Sequence, residues 1–62
     1  MQLILNNETR ELEFNGTAEQ LLKQLNVRRE EVVLKINGKL APETTSLSES
    51  DRVEVIKVVF GG

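Results

Sequence analysis

The stretch Arg52-Val53-Glu54-Val55-Ile56-Lys57-Val58-Val59-Phe60-Gly61-Gly62 decides the fold. Val53, Val55, Ile56, Val58 and Val59 are all β-branched, and such side chains fit a pleated, half-buried surface. Arg52 to Phe60 is therefore the strongest strand signal in the chain. As the most apolar strand it belongs in the middle of a sheet, beside the first strand. That pairing is expected to be parallel, and the rest of the sheet antiparallel. Gly61-Gly62 ends the strand.

Working back from it, Glu43 to Asp51 reads as a polar loop with one apolar anchor, Leu47. Val32 to Asn37 alternates, with Leu34 and Ile36 on one face and Val33 and Lys35 on the other. Asn37-Gly38 signals a tight hairpin, because both residues accept φ > 0. Lys39-Leu40-Ala41 is then a short return strand, stopped by Pro42. Val27 to Glu31 is a polar connection. Before it, Thr17 suits an N-cap, and Gln20 stands three residues on, where a capping box needs it. Ala18, Leu21, Leu22 and Leu25 make one apolar helical stripe, with Glu19, Lys23 and Gln24 on the wet side. The helix is expected to run for about ten residues, to Asn26. At the amino end, Met1 to Asn6 and Thr9 to Phe14 alternate as two strands of a hairpin around Asn6-Asn7-Glu8.

The order is β-β-α-β-β-β, which makes a two-layer α+β domain with one helix on one sheet face. The expected core is Met1, Leu3, Leu5, Leu12, Phe14, Ala18, Leu21, Leu22, Leu25, Leu34, Ile36, Leu47, Val53 and Val55. A length of 62 residues sets a ceiling of one domain, residues 1–62, and leaves no room for a deep substrate pocket.

Composition excludes most side-chain chemistry. There is no Cys, hence no disulfide, thiol nucleophile or thiolate metal site, and no His, hence no imidazole base or ligand. Neither a metal nor a cofactor is expected. The net charge of −2 argues against nucleic acid as a partner. No apolar run approaches the roughly 20 residues that span a bilayer. Met1 to Phe14 lacks the regions of a signal peptide. With Cys absent as well, the expected location is the cytoplasm. Glu30-Glu31 and Glu49…Asp51 read as solvated loop charge, and Arg28-Arg29 is neutralised by the acids that follow it. Thr44, Thr45, Ser46, Ser48 and Ser50 have no base nearby to activate them. No internal catalytic site is expected, so an enzyme is not the expected reading.

Two features stand out. A double glycine at a chosen end arises by chance about once in 200 chains. Gly61-Gly62 has no Cβ atoms, follows a rigid strand, and so forms a thin, flexible tail able to thread a narrow channel. The carboxylate of Gly62 is ionised and a poor electrophile until adenylated, after which sulfur or nitrogen nucleophiles can attack it. The second feature is surplus hydrophobicity. If Leu34, Ile36, Val53 and Val55 face the helix, then Ile4, Val33, Ile56 and Val58 face away, with Lys35 among them and Phe60 near the tail. These six are the candidate partner-binding residues, since contiguous exposed apolar surface marks interaction sites.

The Thr17-capped helix with Leu21-Leu22…Leu25, Leu34-Lys35-Ile36-Asn37-Gly38, Pro42, and Asp51-Arg52-Val53-Glu54-Val55-Ile56 leading to Gly61-Gly62 resemble the ThiS family of sulfur carriers. The resemblance covers essentially the whole chain and implies a ubiquitin-like β-grasp fold. It implies that a ThiF/MoeB-like enzyme adenylates the Gly62 carboxylate with ATP and that a sulfur donor converts it to a thiocarboxylate. Thiazole synthase then takes the sulfur for the thiazole ring of thiamin. Gly62 carries the function and Gly61 is its slim neighbour, while the free carrier is expected to be a monomer. Many ThiS tails have a third glycine where this chain has Phe60. The readings left open are a MoaD-like carrier for molybdopterin and a ubiquitin-like modifier conjugated through Gly62.

Overall fold

The computed structural model describes residues 1–58; the expectations placed on Val59, Phe60, Gly61 and Gly62 lie outside the described residues. Among the described residues, seven strands, one α-helix and one 3-10 turn follow in the order β1 (Gln2–Leu5), β2 (Glu8–Glu11), β3 (Gly16–Thr17), α1 (Ala18–Gln24), the 3-10 turn (Arg29–Glu31), β4 (Val32–Ile36), β5 (Lys39–Leu40), β6 (Ser46–Leu47) and β7 (Arg52–Lys57). The main sheet has the order β2-β1-β7-β4-β5. β7 lies at its centre, parallel to β1 (Leu3 opposite Val53, Leu5 opposite Val55) and antiparallel to β4 (Leu34 opposite Val55, Ile36 opposite Val53). The parallel central pair and the antiparallel flanks are those expected from the valine-rich strand.

Both hairpins turn on asparagine. Asn6 and Asn7 (φ 52 and 65) join β1 to β2, and Asn37 and Gly38 (φ 54 and 83) join β4 to β5. Left-handed backbone at both central positions matches the right-handed twist of the flanking strands. The first turn closes one residue earlier than expected, because Glu8 already pairs with Leu5. β2 ends at Glu11, although the Leu12 N–H still bonds the Met1 carbonyl at 3.0 Å.

The helix is shorter than expected, ending at Gln24 with Leu25 as C-cap. Asn26 takes φ 59, its N–H bonds the Lys23 carbonyl at 3.1 Å, and the Val27 N–H reaches the Leu22 carbonyl at 2.9 Å. This is a Schellman ending, in which asparagine supplies the left-handed residue and two orphan carbonyls are satisfied. At the other end the expected capping box is present: the Gln20 N–H bonds Thr17 Oγ1 at 3.3 Å and the Thr17 N–H bonds Gln20 Oε1 at 2.9 Å. The Ala18 and Glu19 N–H groups bond the carbonyls of Thr45 and Glu43 at 2.9 and 2.8 Å. The segment expected to be only a polar loop thus supplies acceptors to the helix start. It also forms β6, which pairs with β3 through Gly16–Leu47 and Thr17–Ser46. These two short strands add to the expected order without displacing any element.

Helix and sheet enclose one core: Met1, Leu3, Ala18, Leu21, Leu22, Leu34, Ile36, Leu47, Val53 and Val55 are buried. Leu5, Leu12, Phe14 and Leu25 pack against it, so every expected core residue lies in or on the core. Val27, Val32 and Ala41 join them from connections and strand ends that read as polar or short.

Candidate functional site

β7 organises the candidate site because its two faces differ. Val53 and Val55 point into the core, whereas Glu54 and Ile56 alternate onto the opposite face and are half-buried. On that outer face Glu54 stands opposite Ile4 of β1 and Lys35 of β4, and Ile56 stands opposite Val33. Past the end of β7, the Val58 N–H bonds the Glu31 carbonyl at 2.8 Å. The structure therefore brings Ile4, Val33, Lys35, Ile56 and Val58 to adjoining positions of three neighbouring strands, all half-buried. The register on which the apolar patch depends is the observed one. Phe60, Gly61 and Gly62 lie outside the described residues.

One residue of this face was not anticipated. Leu40 pairs with Lys35 and so shares its face, and at 70% it is the large hydrophobic residue most exposed among the described residues. The signal was in the Asn37-Gly38 turn. A two-residue loop sets Ile36 opposite Lys39, and so Lys35 opposite Leu40. Beyond Leu40 a groove of about 630 Å³ opens at the sheet edge, lined by Val32, Val33, Leu34, Pro42 and the Arg29–Glu43 ion pair among others.

Several charged groups near the end of β7 pair with one another. Arg28 faces Glu31 at 3.9 Å, Arg29 faces Glu30 at 3.5 Å, and Arg29 also bonds Glu43. The Glu43 carboxylate, with help from Glu30, makes Arg29 hold its proton more tightly than usual. The Glu30 carboxyl lies below its ordinary range, chiefly through a hydrogen bond from its own backbone N–H. Exposed pairs of this kind contribute little to stability, and they make no net basic surface. At the opposite end of β7, Asp51 accepts from Asn37 Nδ2 at 2.9 Å and from the Ser48 N–H at 2.8 Å, which holds its carboxyl below the usual aspartate value. The Ser48 hydroxyl also lies against Asp51, at 3.3 Å. Among the described residues no group of His, Cys, Asp or Glu could hold a metal ion, and no helix is long and apolar enough to cross a membrane.

Among the described residues this arrangement offers a central strand, a half-buried face beside it, and no assembled nucleophile and base. Comparison with known proteins identifies the family. The ThiS family model matches residues 3–62. The crystal structure of a thiamine biosynthesis protein (ThiS) from Geobacter metallireducens is similar over 100% of both chains, with 25% identity and a TM-score of 0.69. Among curated proteins no match was found. A family match reaching from the third residue to Gly62, on a mixed sheet whose central strand leads to that glycine, places the chain in the ThiS family of ubiquitin-like β-grasp sulfur carriers.

Proposed function

We propose that the chain carries sulfur on the carboxylate of Gly62 and delivers it for the thiazole ring of thiamin. A ThiF/MoeB-like enzyme binds the half-buried face around Ile4, Val33, Lys35, Ile56 and Val58, together with Phe60, and receives the Gly61-Gly62 tail. The Gly62 carboxylate attacks the α-phosphorus of ATP, releasing pyrophosphate and leaving an acyl-adenylate. Sulfur from a donor then displaces AMP to leave a thiocarboxylate. Thiazole synthase accepts that sulfur, and the carrier returns as carboxylate. The protein is a co-substrate here, and ATP is consumed by its partner.

The observation that carries this reading is the family match through Gly62, joined to a strand that runs from the centre of the sheet toward that residue. Thiamin is favoured over molybdopterin because both the matched family and the similar Geobacter protein are of the ThiS kind. The test is ATP–pyrophosphate exchange by a cognate adenylating enzyme. The full chain supports exchange, and a chain lacking Gly62 does not. Equal exchange with both chains would refute adenylation at Gly62.

A further inference from the structure

The chain has two Asn-Gly dipeptides, Asn15-Gly16 and Asn37-Gly38. This pair is prone to deamidation, because a glycine amide nitrogen, unhindered by a Cβ, can reach the preceding side-chain carbonyl carbon. The fold treats the two differently. Gly16 lies in the β3–β6 ladder opposite Leu47, and Phe14 and Gln20 crowd its Cα. Gly38 is exposed at the tip of a turn (φ 83), with open space where a Cβ would stand. At Asn37 it is the side chain that is held. Nδ2 donates to Asp51 Oδ1 at 2.9 Å, and Oδ1 accepts from the Arg52 N–H at 3.0 Å. Both bonds must break before the side chain can turn toward Gly38.

We infer that Asn37 is a covalent modification site, a latent deamidation point held in check by the Asp51 and Arg52 contacts, and that its conversion abolishes the contact that protects it. The Gly38 amide nitrogen attacks Cγ of Asn37 and loses its proton. The N–Cγ bond closes a succinimide, the Cγ–Nδ2 bond breaks, and ammonia leaves. Water then opens the ring at either carbonyl to give aspartate or isoaspartate. The amide that donated to Asp51 becomes a carboxylate facing a carboxylate. Asp51 keeps the Ser48 N–H, which favours its ionised form, so at neutral pH the new carboxylate faces an existing one and the pair repels. The change loosens the β4–β5 corner, which carries Leu40, from the start of β7.

The experiment ages the purified full chain in mildly alkaline buffer, folded and in urea, and maps isoaspartate at position 37. The folded chain is expected to convert severalfold more slowly than the unfolded one, and Asp51→Ala to convert severalfold faster than wild type while circular dichroism shows it folded. Equal rates for folded and unfolded chains, or for wild type and folded Asp51→Ala, overturn the inference. A second arm stands apart from the folding of that variant. Asn37→Asp is expected to lower Tm, and Asn37→Asp/Asp51→Asn to recover most of the loss. An Asn37→Asp chain as stable as wild type, or a loss that the double variant does not recover, overturns it too.

Discussion

Gly16 shows how much can rest on a missing Cβ. It has φ +149, and a Cβ there would meet Gln20 Oε1 at 2.3 Å. That oxygen is the one accepting from the Thr17 N–H in the capping box. Gly16→Ala must therefore strain the backbone and push Gln20 out of the cap. A loss of about 1–3 kcal/mol in urea unfolding is expected, larger than for Gln20→Ala alone. Equal stability of Gly16→Ala and wild type would refute the role of the close approach. Thr17 and Gln20 were legible because a capping box has a fixed local spacing. The demand on Gly16 was not, because its φ and the close approach of Gln20 Oε1 depend on the folded path of the chain rather than on residue spacing.

Asp51 makes a second claim at this scale. Its carboxyl is lowered from the ordinary value of 3.8, first by the Asn37 side chain and then by the Ser48 N–H. A depressed acid adds stability above its unfolded pKa, and that stability is lost as pH falls through the folded pKa. Wild type should exceed Asp51→Asn in stability at neutral pH, with the gap closing as pH drops below 3.8. Urea titrations across that range check it, and a gap independent of pH would contradict it. Glu30, also lowered, contributes acid sensitivity in the same direction to both chains.

Among the elements, β7 was the most legible. Its run of β-branched residues suits the middle of a sheet, and β7 does lie between two strands, parallel to β1. β3 and β6 were not legible, since two residues carry no period, and their pairing serves the helix start more than the core. The helix end was misjudged by two residues because Asn26 can act either as a last helical residue or as a left-handed stop, and the Leu22–Val27 bond selects the second. Exposure of the outer face follows from β7's own alternation. Replacing Val33 and Ile56 with serine alters a cross-strand pair outside the core, so the chain is expected to stay folded, with each change costing no more than about 1 kcal/mol. In steady-state assays with the adenylating enzyme, the double variant should raise KM for the carrier and leave kcat near wild type. An unchanged KM would remove this face from the docking surface.

At the scale of the whole molecule, one helix covers one side of a five-stranded sheet, and the other side carries half-buried Ile4, Val33 and Ile56 with exposed Leu40. A domain this small cannot spare such residues for decoration. The same economy suits the proposed role, in which a carrier offers a rigid body, a docking face and a slim end to partners that supply the nucleophiles and the ATP site. The faces were legible because the alternation of Val33 through Ile36 and of Val53 through Ile56 sorts core from outer positions, whereas the register that sets Ile4, Val33 and Ile56 side by side comes from the strand pairing itself. Leu40 escaped because its face is set by hairpin register rather than by its own neighbours. The central claim is that Gly62 becomes a thiocarboxylate. Intact-mass analysis of the full chain after incubation with ATP, the adenylating enzyme and a sulfur donor tests it most directly. The account predicts the mass gain of one oxygen exchanged for sulfur, located at Gly62 by fragmentation and absent without ATP. An unchanged mass, in a reaction that thiolates a known ThiS protein under the same conditions, would contradict it.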